Sequence, residues 1–158
     1  MTALARKKPR AAPPEDYRLQ SQVGFLLRKA HQAASEAFVA TMDGNDVTPR
    51  QFSVLVTLLQ RGETGLGLLG DLTAMDPATL LGVVRRLAGR KLLTVRGDPD
   101  DGRRRIARLT RQGSDLAATL ISLGPQVSQR ILADFTAAEQ ATLLAFLERL
   151  GNRKEAPS

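Results

Sequence analysis

The stretch "DPATLLGVVRRLAGRKLLTVRGDPDDGRRRIARLT", residues 76–110, changes its hydrophobic period in the middle, and that change decides the fold. In its first half Leu80, Val83, Val84 and Leu87 recur at i, i+3, i+4 and i+7, the stripe of an amphipathic helix. Asp76 is placed to cap that helix and Pro77 to occupy its first position. From Leu92 onward a short β-rich run meets a turn holding a proline, a glycine and three aspartates. A second run follows, in which Ile106 and Leu109 are expected to face inward, completing a two-stranded hairpin. The helix face turned away from the core carries Ala78, Gly82, Arg85, Arg86 and Gly89. Small residues there let the helix approach another surface closely, while its arginines can reach phosphates or guanine edges.

Upstream, residues 17–41 carry Val23, Leu26, Leu27, Ala30, Ala34, Ala37 and Phe38 at helical spacing, which predicts a long first helix. After "MDGND", Thr48 can cap and Pro49 can start a second helix whose one face is Phe52, Leu55, Val56 and Leu59, with Gly62 as its stop. The bend "GETG" leads to a short amphipathic piece carrying Leu68, Leu69 and Leu72. Downstream, Leu116, Leu120, Leu123, Val127 and Ile131 mark another long helix. The capping box Thr136-x-x-Glu139 then opens a last helix, expected to bury Leu143, Leu147 and Leu150. A short helix, a turn, a helix with a readable outer face and a basic hairpin together make a winged helix-turn-helix. The wing's arginines are then placed to enter a minor groove or clamp its phosphates.

The charge distribution agrees. The chain has 158 residues, a formal net charge of +7 and no cysteine. Residues 85–111 alone hold ten basic residues against Asp98, Asp100 and Asp101, while the body outside this stretch and the basic N-terminal arm is mildly acidic. Without cysteines there is no disulfide framework and no thiolate metal site, and a reducing cytoplasm is the expected compartment. No apolar run approaches a membrane span, and the first residues lack a signal-peptide pattern. No Ser/His/Asp or metal-ligand cluster is evident, so neither an enzyme nor a cofactor is expected.

Nearly the whole chain, from about residue 17 to 150, resembles the MarR family of bacterial transcriptional regulators. "VTPRQFSVLVTLLQRG" is similar to the family's second helix. "DPATLLGVVRRLAGRKLLTVRGDPDD" is similar to its recognition helix and the entry to its wing, and "RRRIARLTRQG" to the returning strand and the start of a dimer helix. The resemblance implies a mainly α protein in which a winged helix-turn-helix with a two-stranded wing joins a helical dimerisation domain formed by the N- and C-terminal helices. The expected organisation is a basic arm (1–16), an N-terminal dimerisation helix (17–46), the DNA-binding region (47–109), C-terminal dimerisation helices (110–151) and a tail (152–158). It also implies a homodimer, a palindromic double-stranded DNA operator and release by a small aromatic or phenolic acid. By the same analogy Ala78, Thr79, Leu81, Gly82 and Arg86 face bases or backbone in the major groove. Asp101 and Arg103 match the Asp-x-Arg pair that braces the wing. Between them stands Gly102 where the family commonly has arginine, which either moves the minor-groove contact to Arg104 or Arg105 or weakens it.

"VGFLLRKAHQAA" in the first helix resembles the subset of the family that senses aromatic acids or their coenzyme A thioesters. Family ligands sit beside this helix, so Arg28 can hold a carboxylate with His31 nearby; the alternative for His31 is an ordinary, partly buried helix residue with a satisfied ring. "GLGLLG", residues 65–70, matches a dinucleotide-binding glycine pattern literally, yet it follows a helix and lacks a βαβ setting, so it reads as an inter-helix bend. A different class of function, a helical protein docking its basic strip on an acidic partner or a membrane surface, fits a diffuse cationic face. Here the cations cluster on one helix and one loop.

Overall fold

The computed structural model describes residues 16–152; the expected basic arm and tail lie, all but Asp16 and Asn152, outside this range. The chain divides into two compact units, residues 1–32 and residues 33–158. In the first, Leu19–Ser21 form a single 3-10 turn, Gln22 is extended, and helix α1 (Val23–Thr41) begins. The first helix therefore starts at Val23, six residues later than its apolar spacing suggested, because the extended backbone at Gln22 interrupts the ladder.

The second unit is built from α2 (Pro49–Arg61), β1 (Thr64–Gly65), α3 (Leu66–Leu72), α4 (Pro77–Gly89), β2 (Leu93–Gly97), β3 (Arg105–Leu109), α5 (Arg111–Ile131) and α6 (Ala137–Gly151), together with the end of α1. Local sequence sets the helix starts. Thr48 accepts from the Gln51 N–H while the Gln51 side chain accepts from Thr48 N–H, a reciprocal box, and Thr136 and Glu139 repeat it at α6. Asp76 caps α4 and Thr110 caps α5. Leucines from four helices meet the sheet in one core: Leu55, Leu58, Leu69, Leu80, Leu87, Leu93 and Leu120 are buried with Val54, Val83, Ala107 and Ala117. Burying each such leucine contributes about 1.5–3 kcal/mol. Phe38 at the end of α1 meets Phe52 edge to face, with ring centroids 5.6 Å apart.

The end of α4 turns the chain sharply into the wing. Lys91 adopts φ 59°, its N–H bonds Ala88 O, and the Leu92 N–H reaches back to Leu87 O. This is the paired closure that usually carries glycine at the left-handed position.

The sheet has three strands in the order β1-β3-β2, not the two the hairpin pattern suggested. The extra strand, Thr64 and Gly65 opposite Ala107 and Ile106, is too short to show a period and exists only through its pairing. The inward face of β3 is also different from expectation. Ala107 is fully buried and Ile106 only partly. Residues 106 and 109 are three apart and must point to opposite faces of a strand, so Leu109 shares the inner face with Ala107 while Ile106 stands on the outer one. In α3 only Leu69 of the three expected leucines is buried, Leu68 and Leu72 being exposed. α6 buries none of its residues, and Leu144, Phe146, Leu147 and Leu150 are exposed along it. No single helix among the described residues is long and apolar enough to cross a membrane.

Candidate nucleic-acid interface

Helix α4 presents the outer face its sequence implied. Its start is fixed by Asp76, which accepts the Thr79 N–H at 2.9 Å and the Thr79 hydroxyl at 2.6 Å. The Thr79 hydroxyl first, then its N–H, hold the Asp76 carboxyl below the ordinary carboxylate range. Leu80, Val83, Val84 and Leu87 face the core, which leaves Ala78, Leu81, Arg85, Arg86 and Gly89 exposed on the other side. Thr79 and Gly82 are half-buried between the two faces. The Arg86 guanidinium folds back along the helix, and a Cβ placed on Gly82 would lie 3.8 Å from both of its terminal nitrogens.

The wing answers why aspartates precede the arginines there. Two aspartates build the turn: Asp98 Oδ1 accepts the Asp100 N–H and Asp101 Oδ1 accepts the Arg103 N–H, each at 3.0 Å. The other Asp101 oxygen pairs with Arg104 Nε at 3.2 Å. The expected Asp101–Arg103 brace is therefore made through the Arg103 backbone, and the ion pair falls to Arg104, the residue that the tight turn returns to Asp101. Arg103, Arg104 and Arg105 together line a cleft of about 850 Å³ against Leu66, Leu68 and Ile106.

Glu63, which the sequence did not single out, holds two more cations. Arg96 Nη2 lies 2.7 Å and Arg108 Nη1 3.3 Å from its carboxylate oxygens. Arg96 and Arg108 share the outer face of the hairpin, since Arg96 opposes Ile106 and Arg108 opposes Thr94. The hydrogen bond from Arg96 is the largest influence on Glu63; together with the charges of both arginines it lowers the pKa, against an opposing effect of burial. The pairing is thus present at neutral pH and weakens on acidification as the carboxylate protonates. Arg90 is likewise occupied, donating to the Asp46 carbonyl at 2.6 Å. Of the ten cations between residues 85 and 111, Arg85, Arg86, Lys91, Arg103, Arg105 and Arg111 have no carboxylate within ion-pair distance among the described residues. They mark the end of α4, the wing tip and the start of α5.

The residues expected at a small-molecule site, Arg28 and His31, share the exposed face of α1 in the first unit. The Arg28 guanidinium stacks over the Phe25 ring 5.1 Å from its centroid. Among the described residues no group of three or more His, Cys, Asp or Glu side chains is arranged to hold a metal ion.

Comparison with known proteins places these features. Residues 47–104, from the cap of α2 to the wing tip, match the MarR family. The HTH-type transcriptional repressor NicR of Pseudomonas putida is 33% identical over 144 residues, 90% of this chain and 91% of the relative. The structure of Bordetella bronchiseptica BpsR, a protein whose DNA binding is regulated by 6-hydroxynicotinic acid, superposes with a TM-score of 0.82 at 33% identity, covering 87% of this chain and 99% of BpsR. The PcaV transcriptional regulator of Streptomyces coelicolor, bound to its natural ligand, gives 0.79 at 31% identity over 86% of this chain and 96% of PcaV. With a shared winged-helix fold and this identity along nearly its whole length, the chain belongs to the MarR family of non-enzymatic transcriptional regulators.

Proposed function

We propose that the chain is a homodimeric repressor that binds a palindromic double-stranded operator through α4 and the wing and leaves it when a small aromatic acid binds. The observation that carries the DNA reading is the dense cluster of cations within residues 85–111, of which those without a carboxylate partner stand at the end of α4, the wing tip and the start of α5. Ala78, Thr79, Leu81, Gly82 and Arg86 would face the major groove, and Arg103, Arg104 and Arg105 the minor groove or its phosphates. Because Arg104 is tied to Asp101, Arg103 and Arg105 are the better candidates for the wing contact. Two copies related by a two-fold axis would set their recognition helices about 34 Å apart, one turn of DNA.

An operator selected by the protein from a random duplex pool tests this directly. Arg86→Ala is expected to weaken that operator by about tenfold or more while changing binding to random duplex little, because a base-edge contact supplies about 1–3 kcal/mol of discrimination. Equal losses on both duplexes would remove Arg86 from base readout. Gly82→Ala separates readout from folding. The added methyl meets only the Arg86 nitrogens at van der Waals distance, and alanine in a helix interior is favoured over glycine by about 1 kcal/mol. The variant should therefore melt higher than the parent yet bind the operator more weakly, since the methyl stands between helix and groove. Unchanged affinity would place Gly82 outside the interface.

For the effector, BpsR, whose DNA binding is regulated by 6-hydroxynicotinic acid, supports an aromatic acid, and of the two forms considered, free acid or coenzyme A thioester, that ligand favours the free acid. Arg28 offers the guanidinium for a carboxylate, steadied by Phe25, with His31 three residues on along the same helix. In a thermal-shift panel of hydroxylated aromatic acids that includes 6-hydroxynicotinic acid, a binder raises the melting midpoint and releases the operator. Arg28→Ala should abolish both responses while leaving operator affinity without effector intact. A full response in the variant would move the carboxylate site elsewhere.

A further inference from the structure

We propose that the first two turns of α4 recognise thymine through its C5-methyl group and that Leu81 is the residue that sets this specificity, an inference that rests on the DNA-binding reading above. The residues of these two turns themselves offer almost nothing with which to hydrogen-bond a base. Ala78 and Leu81 are apolar and Gly82 has no side chain. Thr79, half-buried, donates its hydroxyl to Asp76 at 2.6 Å, and both Asp76 oxygens accept from Thr79. The side-chain donors of this face belong to Arg85 and Arg86, and the Arg86 guanidinium folds back to Gly82, beside Leu81.

In the major groove, three of the four bases are distinguished by donor and acceptor patterns alone, whereas thymine adds a methyl group that apolar side chains can read. Leu81 is 51% exposed at the middle of this surface. Gly82 beside it removes the side chain that would hold the helix off the groove. The operator half-site this predicts has a thymine methyl against Leu81 and a guanine within reach of Arg85 or Arg86.

Deoxyuridine removes the methyl and leaves the pairing and hydrogen-bond pattern of thymine unchanged, so it isolates this contact. The operator selected by the wild-type protein from a random duplex pool is remade with uracil at each thymine in turn, and binding is measured for wild type, Leu81→Ala and Arg86→Ala. Wild type should lose about fourfold at one thymine per half-site and about fifteenfold when both symmetry-related positions are changed, the effect of one methyl withdrawn from water at each. Leu81→Ala should bind the thymine and uracil duplexes equally at that position, while Arg86→Ala, weaker overall, keeps the thymine preference. Tolerance of uracil at every position, or a thymine preference that survives in Leu81→Ala, overturns the assignment while leaving DNA recognition standing. Failure to select any sequence over random duplex overturns both this inference and the DNA-binding reading.

Discussion

Replacing Gly113 by alanine is expected to destabilise the protein by about 3 kcal/mol or more, although alanine is the better helix former. Gly113 lies in the first turn of α5, where the helix backbone rests directly on the end of the loop leaving α4. A Cβ there would stand 1.8 Å from the Leu92 carbonyl oxygen and 2.8 Å from its carbon, with Leu109 Cδ2 at 3.3 Å. The obstructing atoms are backbone, and they are held from several directions. Leu92 N–H is bonded to Leu87 O, Leu92 O accepts the Thr110 N–H at 3.1 Å, and the neighbouring Lys91 O accepts the Thr110 hydroxyl at 2.7 Å. Relief requires moving α5 off the wing, which breaks those bonds and opens the core around Leu93, Ala117 and Leu120. The helix propensity gained, about 1 kcal/mol, does not offset this. At this chain length each kcal/mol lowers the melting midpoint by about 2–4 °C, so a fall of at least about 6 °C is expected in a thermal melt. A midpoint equal to or above that of the parent would mean the contact at Leu92 is not rigid.

The contrast between Gly113 and Gly82 shows what a sequence conceals. Both are glycines inside helices, and neither is marked by local pattern. One is required by backbone contact with a loop 21 residues away in the chain, the other faces outward with room for a methyl. Helix α4, by comparison, was legible from a dozen residues, because its cap, its Pro77 and its 3.6-residue stripe are all local. The partners that escaped are those that depend on the tertiary path. Strand β1 is two residues long and gains its identity from Ala107 and Ile106. Glu63 reaches Arg96 and Arg108 only because the hairpin is laid beside it. Lys91 occupies a left-handed position that glycine would ordinarily announce. In the wing, the abundance of arginine was plain, yet the division between those neutralised by Asp101 or Glu63 and those left over follows from turn geometry that composition does not encode.

Leu147→Glu is expected to weaken operator binding by about 10²- to 10⁴-fold while leaving the fold of the single chain intact. Leucine is 45% exposed at this position, and it lies with Leu143 and Leu150 on one stripe of α6, flanked by Leu144 and by Phe146 at 57% exposure. The stripe has the spacing of a packed helix face, but no residue of α6 is buried in the chain itself. A second copy is the occupant this proposal assigns to it, because the family reading requires two recognition helices on one palindrome and a two-fold contact buries the same stripe on both chains. Glutamate is nearly as good a helix former as leucine, so the helix should persist and the melting of the isolated chain should change little. In the dimer, however, two carboxylates would be brought together in a desolvated apolar contact, which disfavours association strongly. A monomer can engage only one half-site at a time and loses the intramolecular second contact that multiplies affinity by that factor. Sedimentation of the variant should give the mass of one chain, and its residual binding should match that of the parent on a duplex carrying a single half-site. A variant that remains dimeric at micromolar concentration, or one that is monomeric yet holds the full operator as tightly as the parent, would show that α6 does not form the contact on which two-site recognition depends.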